Sequence, residues 1–238
     1  MRVVAVVLGG GTGQRLGAAL PKQLLALGGR TLVEHCVAAF DRAAGVDEIV
    51  VVMAREYAGQ VRAMLAGGGY GKVSAVIEGG MTRPDSTRVA LAAILRGCDD
   101  PGDCGVLLHD AARPLVDQRI IADCVAALGV HRAAGVAVPA SDTIVVTDNG
   151  VMHSMPRRET LLRCQTPQCF RLAVIARAHE LAAADPDFVP TDDCGVVLRY
   201  LPDVEVHIVT GSERNIKITY PQDLAIAEAL LNDEPSAS

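Results

Sequence analysis

Apolar residues in this chain fall into two rhythms. Val3 to Leu8 is an unbroken apolar run closed by the glycines Gly9, Gly10 and Gly11. Such a run suits a strand covered on both faces in a parallel sheet. Ile49–Met53, Val73–Ile77, Gly105–His109, Gly135–Pro139 and Val204–Val209 predict further strands. Between strands the period lengthens. Leu32, Val33, Cys36, Val37 and Phe40 follow Thr31-Leu-Val-Glu34, a capping-box pattern that opens a helix. Helices are also predicted over Ser86–Arg96, Ile120–Leu128 and Leu172–Ala184, and from Pro221-Gln222-Asp223 to about Leu231. Strands alternating with helices imply an α/β fold with a doubly wound, mostly parallel sheet.

One segment breaks the rhythm. Thr143–Thr147 and Val151–Met155 are short strand-like runs around Asp148-Asn149-Gly150, and Asn-Gly is a strong hairpin signal. This predicts a β-arm at about 141–157, projecting from a single domain over 1–232 and packing on a second subunit, because an isolated hairpin buries too little of itself. Residues 233–238 are polar and are expected to form a disordered tail.

Composition narrows the class. Half of the 238 residues are hydrophobic, with no Trp and only three Phe, so the core is expected to be aliphatic. A net charge of −6 speaks against a nucleic-acid partner, which calls for a basic surface. The first apolar run is too short for a signal peptide and no long apolar segment follows, which predicts a cytoplasmic protein with no membrane partner. The seven cysteines include no CxxC pair, so buried thiols are expected rather than zinc ligands or disulfides.

The chemistry begins at Gly9-Gly10-Gly11-Thr12-Gly13-Gln14-Arg15, directly after the first strand. Small residues there let the backbone N–H groups approach an anion. The spacing fits neither a dinucleotide fingerprint nor a Walker loop, since the third glycine is missing and Lys22 sits between Pro21 and Gln23. The failed fingerprint counts against a dinucleotide-dependent oxidoreductase. Arg15 and Lys22 instead bracket the loop with positive charge, where open α/β sheets bind ligands.

Gly-Gly-x-Gly-x-Arg-Leu-Gly…Pro-Lys-Gln resembles the signature loop of the sugar nucleotidyltransferases. Further segments follow in order: Gly79-Gly80-x-x-Arg83-x-Asp85-Ser86, His109-Asp110-Ala111-Ala112-Arg113-Pro114, Asp142-Thr143, Arg158, Gln165-Thr166-Pro167-Gln168, Thr191-Asp192-Asp193 and Asn215-Ile216-Lys217-Ile218-Thr219. The set, spanning residues 3 to 231, is similar to the 2-C-methyl-D-erythritol 4-phosphate cytidylyltransferases and their relatives acting on ribitol 5-phosphate.

The resemblance implies a Rossmann-like nucleotidyltransferase fold, CTP and a small polyol phosphate as substrates, Mg²⁺ held largely by the CTP phosphates, and a homodimer. It implies that Arg15, Lys22 and Lys217 are catalytic. It places CTP against Gly9, Gly10, Gly11, Thr12, Gly13, Arg15, Lys22, Gly80, Arg83 and Ser86. The acceptor falls to Asp110, Arg113, Thr143, Arg158, Thr166, Thr191 and Lys217, with Thr143 and Arg158 reaching the neighbouring subunit's site. Whether Asp110 ligates the metal stays open. His109 reads as structural, and Thr191 equally as a helix N-cap.

The chemistry agrees with that set. A phosphate monoester is largely dianionic at neutral pH, its second pKa being about 6, so the nucleophile needs no general base. What it needs is positive charge to meet a triphosphate. His109-Asp-Ala-Ala-Arg-Pro114 has the form usual in the methylerythritol enzymes, and that acceptor is expected. Gly9-Gly10, where those enzymes usually carry Ala-Ala, and Thr191-Asp192-Asp193-Cys194 resemble the pentitol-phosphate branch. A non-catalytic nucleotide-binding protein on this fold would be expected to lack a catalytic cation, yet Arg15, Lys22, Arg158 and Lys217 are all present.

Overall fold

The structure is a computed structural model that describes residues 1–10, 21–188 and 192–233. In chain order, β1 (Arg2–Gly9) is followed by a two-stranded ribbon of β2 (Ala26–Leu27) and β3 (Arg30–Thr31). Then come α1 (Leu32–Arg42), β4 (Glu48–Met53), α2 (Arg55–Gly67), β5 (Val73–Glu78), α3 (Arg83–Arg96), β6 (Cys104–Asp110), α4 (Gln118–Val130) and β7 (Ala133–Pro139). The arm strands are β8 (Val146–Asp148) and β9 (Val151–Ser154). The chain continues through β10 (Leu162–Arg171), α5 (Leu172–Ala183), α6 (Asp193–Tyr200), β11 (Val206–Thr210) and α7 (Pro221–Asn232).

Seven strands form one sheet in the order β11-β7-β10-β6-β1-β4-β5. Neighbours run parallel except β10, which is antiparallel to both β6 and β7. The alternation of strand side chains builds two cores. Val3, Ala5 and Val7 of β1 pack with α1, α2 and α4, while Val4, Val6 and Leu8 face α3, α5 and α6. Burial on both faces is why β1 needs an unbroken apolar sequence. Because β1, β4, β5 and β6 are parallel, their carboxyl ends meet along one rim, with β1 flanked on both sides.

The capping box at Thr31 and Glu34 opens α1. A second one, Thr82 with Asp85, starts α3 at Arg83, ahead of the predicted Ser86. In the arm, Asn149 and Gly150 both have positive φ, 46° and 79°, as a tight hairpin of right-handed twist requires. The arm strands are shorter than the pattern suggests, and every residue of β8 and β9 is exposed.

Four features depart from expectation. Helix α2 has no counterpart among the predicted elements; it buries only Ala58, Val61 and Leu65 on one face. Strand β10 is central although its sequence contains Gln165, Pro167 and Gln168, residues that argue against a central strand. A register shift resolves the conflict: Cys164 pairs with Ala137 and Gln168 with Gly135, so Gln165, Thr166 and Pro167 bulge out of the ladder. The cap of α6 is Asp192, whose carboxylate accepts from Gly195 N–H. Of the two readings of Thr191, helix cap and acceptor contact, the first is therefore set aside, and Thr191 itself lies outside the described residues. The cysteines are all free, as expected, but Cys164 is exposed and Cys98 half-buried, against the expectation of buried thiols. Among the described residues no helix is long and apolar enough to cross a membrane.

Candidate active site

The rim where β1, β5 and β6 end holds a cleft. Gly10 follows β1 directly, and Ser86 on the first turn of α3 lies beneath it. A Cβ on Gly10 would sit 2.8 Å from Ser86 Oγ, and one on Gly79 2.7 Å from the same atom. Hydrogen at both positions lets the backbone just after β1 and just after β5 approach the start of α3. Gly80 packs against Asp85 in that turn.

At the centre of the cleft stands Asp110, the last residue of β6. Its Oδ1 accepts from Arg83 Nε at 3.1 Å and its Oδ2 from Lys217 Nζ at 2.7 Å. Burial would raise its pKa, but the charges of Arg83 and Lys217 more than reverse that and hold it well below the usual carboxylate range. Arg83 Nη1 lies 2.7 Å from Asp193 Oδ2, and Asp193 Oδ1 lies 3.0 Å from His179 Nε2. Burial would lower the Arg83 pKa, yet Asp193 and Asp110 raise it above its ordinary value.

Arg83, Asp110 and Lys217 form the wall shared by two lobes. The first has a volume of about 230 Å³ and takes in Gly10, Lys22, Gln23, Thr82 and Ser86. The second, of about 170 Å³, is lined by Arg113, Cys164, Gln165, Thr166, Gln168 and Asp192. Lys22 enters the first lobe with its Nζ 3.2 Å from the Ile218 carbonyl oxygen. Ile218 N–H is in turn held by the Ala112 carbonyl, so the segment carrying Lys217 is tied to both Lys22 and the turn after β6.

The bulge of β10 builds the second lobe. Thr166 Oγ1 accepts from Asp110 N–H at 3.1 Å and donates to His109 Nδ1 at 3.0 Å, while His109 Nε2 donates to the Arg113 carbonyl at 3.0 Å. His109 is fully buried and its pKa is pushed down by burial to about 4, so it is a neutral structural residue, as expected. Arg113 donates to the carbonyls of Asn215 (2.7 Å) and Cys164 (3.2 Å), which braces the lobe. Gln168 accepts from the N–H groups of Asp193 and Cys194 and donates to Asp192, pinning the start of α6 beside the bulge.

The structure therefore brings together Gly10, Lys22, Arg83, Ser86, Asp110, Arg113, Thr166 and Lys217, with Gly9 and Gly80 supporting the loop. Gly11, Thr12, Gly13, Arg15 and Thr191 lie outside the described residues. Thr143 and Arg158 are exposed at the two ends of the arm, and neither lines the cleft of its own chain. Arg158 Nη1 donates to the Ser141 carbonyl, at 3.5 Å, its one hydrogen bond among the described residues. Sequence reasoning passed over Asp193, Gln165, Gln168 and Asn215 as site residues although they sit inside the quoted motifs. His179 carried no signal, being one polar residue within a helix.

A cleft at the carboxyl rim of a mostly parallel sheet, lined by Lys22, Arg83 and Lys217, suits the handling of phosphorylated ligands, and the family model that the chain matches makes the class a nucleotidyltransferase. The family model described as "IspD: 2-C-methyl-D-erythritol 4-phosphate cytidylyltransferase" matches residues 3–233, and the chain belongs to that family. A 2-C-methyl-D-erythritol 4-phosphate cytidylyltransferase of Thermobifida fusca is 52% identical over 236 residues, covering 97% of this chain and 93% of the relative. A bifunctional ribulose 5-phosphate reductase/CDP-ribitol pyrophosphorylase of Haemophilus influenzae is 38% identical over 229 residues, covering 95% of this chain and 48% of that longer protein. The crystal structure of 4-diphosphocytidyl-2C-methyl-D-erythritol synthase from Anaerococcus prevotii matches with a TM-score of 0.84 at 27% identity, covering 97% and 96% of the two chains.

Proposed function

We propose that this enzyme transfers the cytidylyl group of CTP to 2-C-methyl-D-erythritol 4-phosphate, releasing pyrophosphate. The observation that carries the reading is the two-lobed cleft with one shared wall. Nucleotide fills the lobe of Gly10, Lys22 and Ser86, and the polyol phosphate fills the lobe of Arg113 and Thr166. The acceptor phosphate is already anionic and attacks the α-phosphorus in line. Lys22 and Lys217 lower the repulsion between the two anions and stabilise the charge that grows on phosphorus and on the leaving pyrophosphate. Asp110 holds Lys217 and Arg83 in register between the lobes. The 52% identical relative bearing that enzyme's name favours the methylerythritol acceptor.

Mg²⁺ fits this site as a companion of the nucleotide. Among the described residues no group of three His, Cys, Asp or Glu side chains could form a cation cage. Asp110, the carboxylate lining the nucleotide lobe, already has both oxygens held by cations. Bound on the triphosphate, the metal supplies charge neutralisation. The arm supports an active homodimer: Val151, Met152 and Met155 are 69%, 57% and 61% exposed, and a two-stranded arm needs a partner to cover such a surface. Thr143 and Arg158 then complete the acceptor lobe of the other subunit.

Ribitol 5-phosphate is the second reading, favoured by the 38% match to the Haemophilus protein. Pyrophosphate release with CTP and each of methylerythritol phosphate, ribitol phosphate and ribulose phosphate separates them. Methylerythritol phosphate is expected to give the highest kcat/KM, and a clear preference for a pentitol phosphate would reverse the assignment.

A further inference from the structure

Arg83 is the first residue of α3, a place where a positive charge is opposed by the helix dipole. It stays there because two carboxylates from other elements take hold of its guanidinium. Asp110, at the end of β6, takes Nε, and Asp193, in the first turn of α6, lies against Nη1. Nη2 has no hydrogen-bond partner among the described residues, and the side chain is about one quarter exposed, at the wall common to both lobes. Asp193 is 1% exposed and lines neither lobe, so it has no direct access to a substrate. Its placement is set by His179 on α5 and by Gln168, which accepts from its backbone N–H. Carboxylate charge also suits the start of α6.

We infer that Asp193, backed by His179, is a positioning residue that orients Arg83 so that its remaining N–H edge faces the bound substrates. The inference rests on the proposed reading of the cleft as a cytidylyltransferase site. Without Asp193, Arg83 has Asp110 as its sole carboxylate partner and competes with Lys217 for it. The shared wall then loses its geometry although no residue that touches substrate has been removed.

A double-mutant cycle tests this. Pyrophosphate release is measured with CTP and whichever acceptor the parent enzyme turns over, so an inactive parent would speak against the proposed function and not against the positioning role. The variants are Asp193→Asn, Arg83→Gln and the double variant, each with its melting temperature. Asp193→Asn is expected to lower kcat/KM by about tenfold or more in the parent and by less than about twofold in the Arg83→Gln background, the signature of one residue acting through another. If Asp193→Asn does not fold, His179→Asn is put through the same cycle, since the shorter amide withdraws the donor that now holds the Asp193 carboxylate. Equal losses in both backgrounds, or a loss of melting temperature with kcat/KM unchanged, would overturn the inference.

Discussion

Asp110 owes its ionised state to its neighbours: buried alone it would favour the neutral acid, but between Arg83 and Lys217 it stays charged and fixes two cations at the junction of the lobes. Lys22 differs in kind. It enters the first lobe from the short 3-10 turn Lys22–Leu24, and under the proposed function its charge serves the transition state. Lys22→Ala is therefore expected to lower kcat by roughly a hundredfold or more, as loss of a transition-state charge partner does, with the melting temperature little changed. Steady-state pyrophosphate release checks it, and a kcat within about a factor of two of the parent would remove Lys22 from the catalytic set. The cations of the site were legible because they sit in ordered motifs. Asp193 was not read as a site residue, because its importance lies in touching Arg83, a contact between residues far apart in the chain.

At the scale of elements, the bulge in β10 shapes the second lobe, and under the proposed function the arm between β7 and β10 completes that lobe in a partner subunit. The bulge frees Thr166 from the strand ladder so that it can accept from Asp110 N–H. A proline and two glutamines hid this strand from periodicity, since a central strand reads as an apolar run only where it keeps its register. The arm was legible from Asn149-Gly150, whose positive φ values are a local demand. Deleting residues 143 to 155 is expected to weaken dimerisation and acceptor turnover together, because Thr143 would be lost and Arg158 displaced. Sedimentation alongside activity gives the test: a monomer with parental activity would rule out an arm that acts across the interface.

For the molecule as a whole, the buried His109 ties stability to pH. Its ordinary value is 6.5 and burial holds it near 4 in the fold. The unfolded chain therefore takes up a proton as pH falls through 6.5, while the folded chain does so only near 4. Stability conferred by the neutral ring is complete above that window and is lost across it on acidification, by about 3 kcal/mol. Asp110, held low, contributes a separate loss that sets in as pH approaches the ordinary carboxylate value of 3.8 and grows below it. Urea midpoints from pH 7 to pH 4 should fall less steeply in His109→Leu than in the parent, even though the variant starts less stable. Parallel curves would show that His109 does not govern this window. By itself the sequence determined most of the alternating strands and helices, the capping box of α1, the hairpin arm and the motifs that carry Lys22, Arg83 and Lys217 of the cleft, because each depends on neighbours a few residues away or on a motif in order. Only the tertiary structure decided that β10 runs antiparallel between β6 and β7, that α6 is capped by Asp192, and that Asp110, Arg83, Asp193 and His179 form one chain of polar contacts. Those outcomes depend on which distant segments meet, and burial turns such meetings into shifted pKa values and fixed side chains.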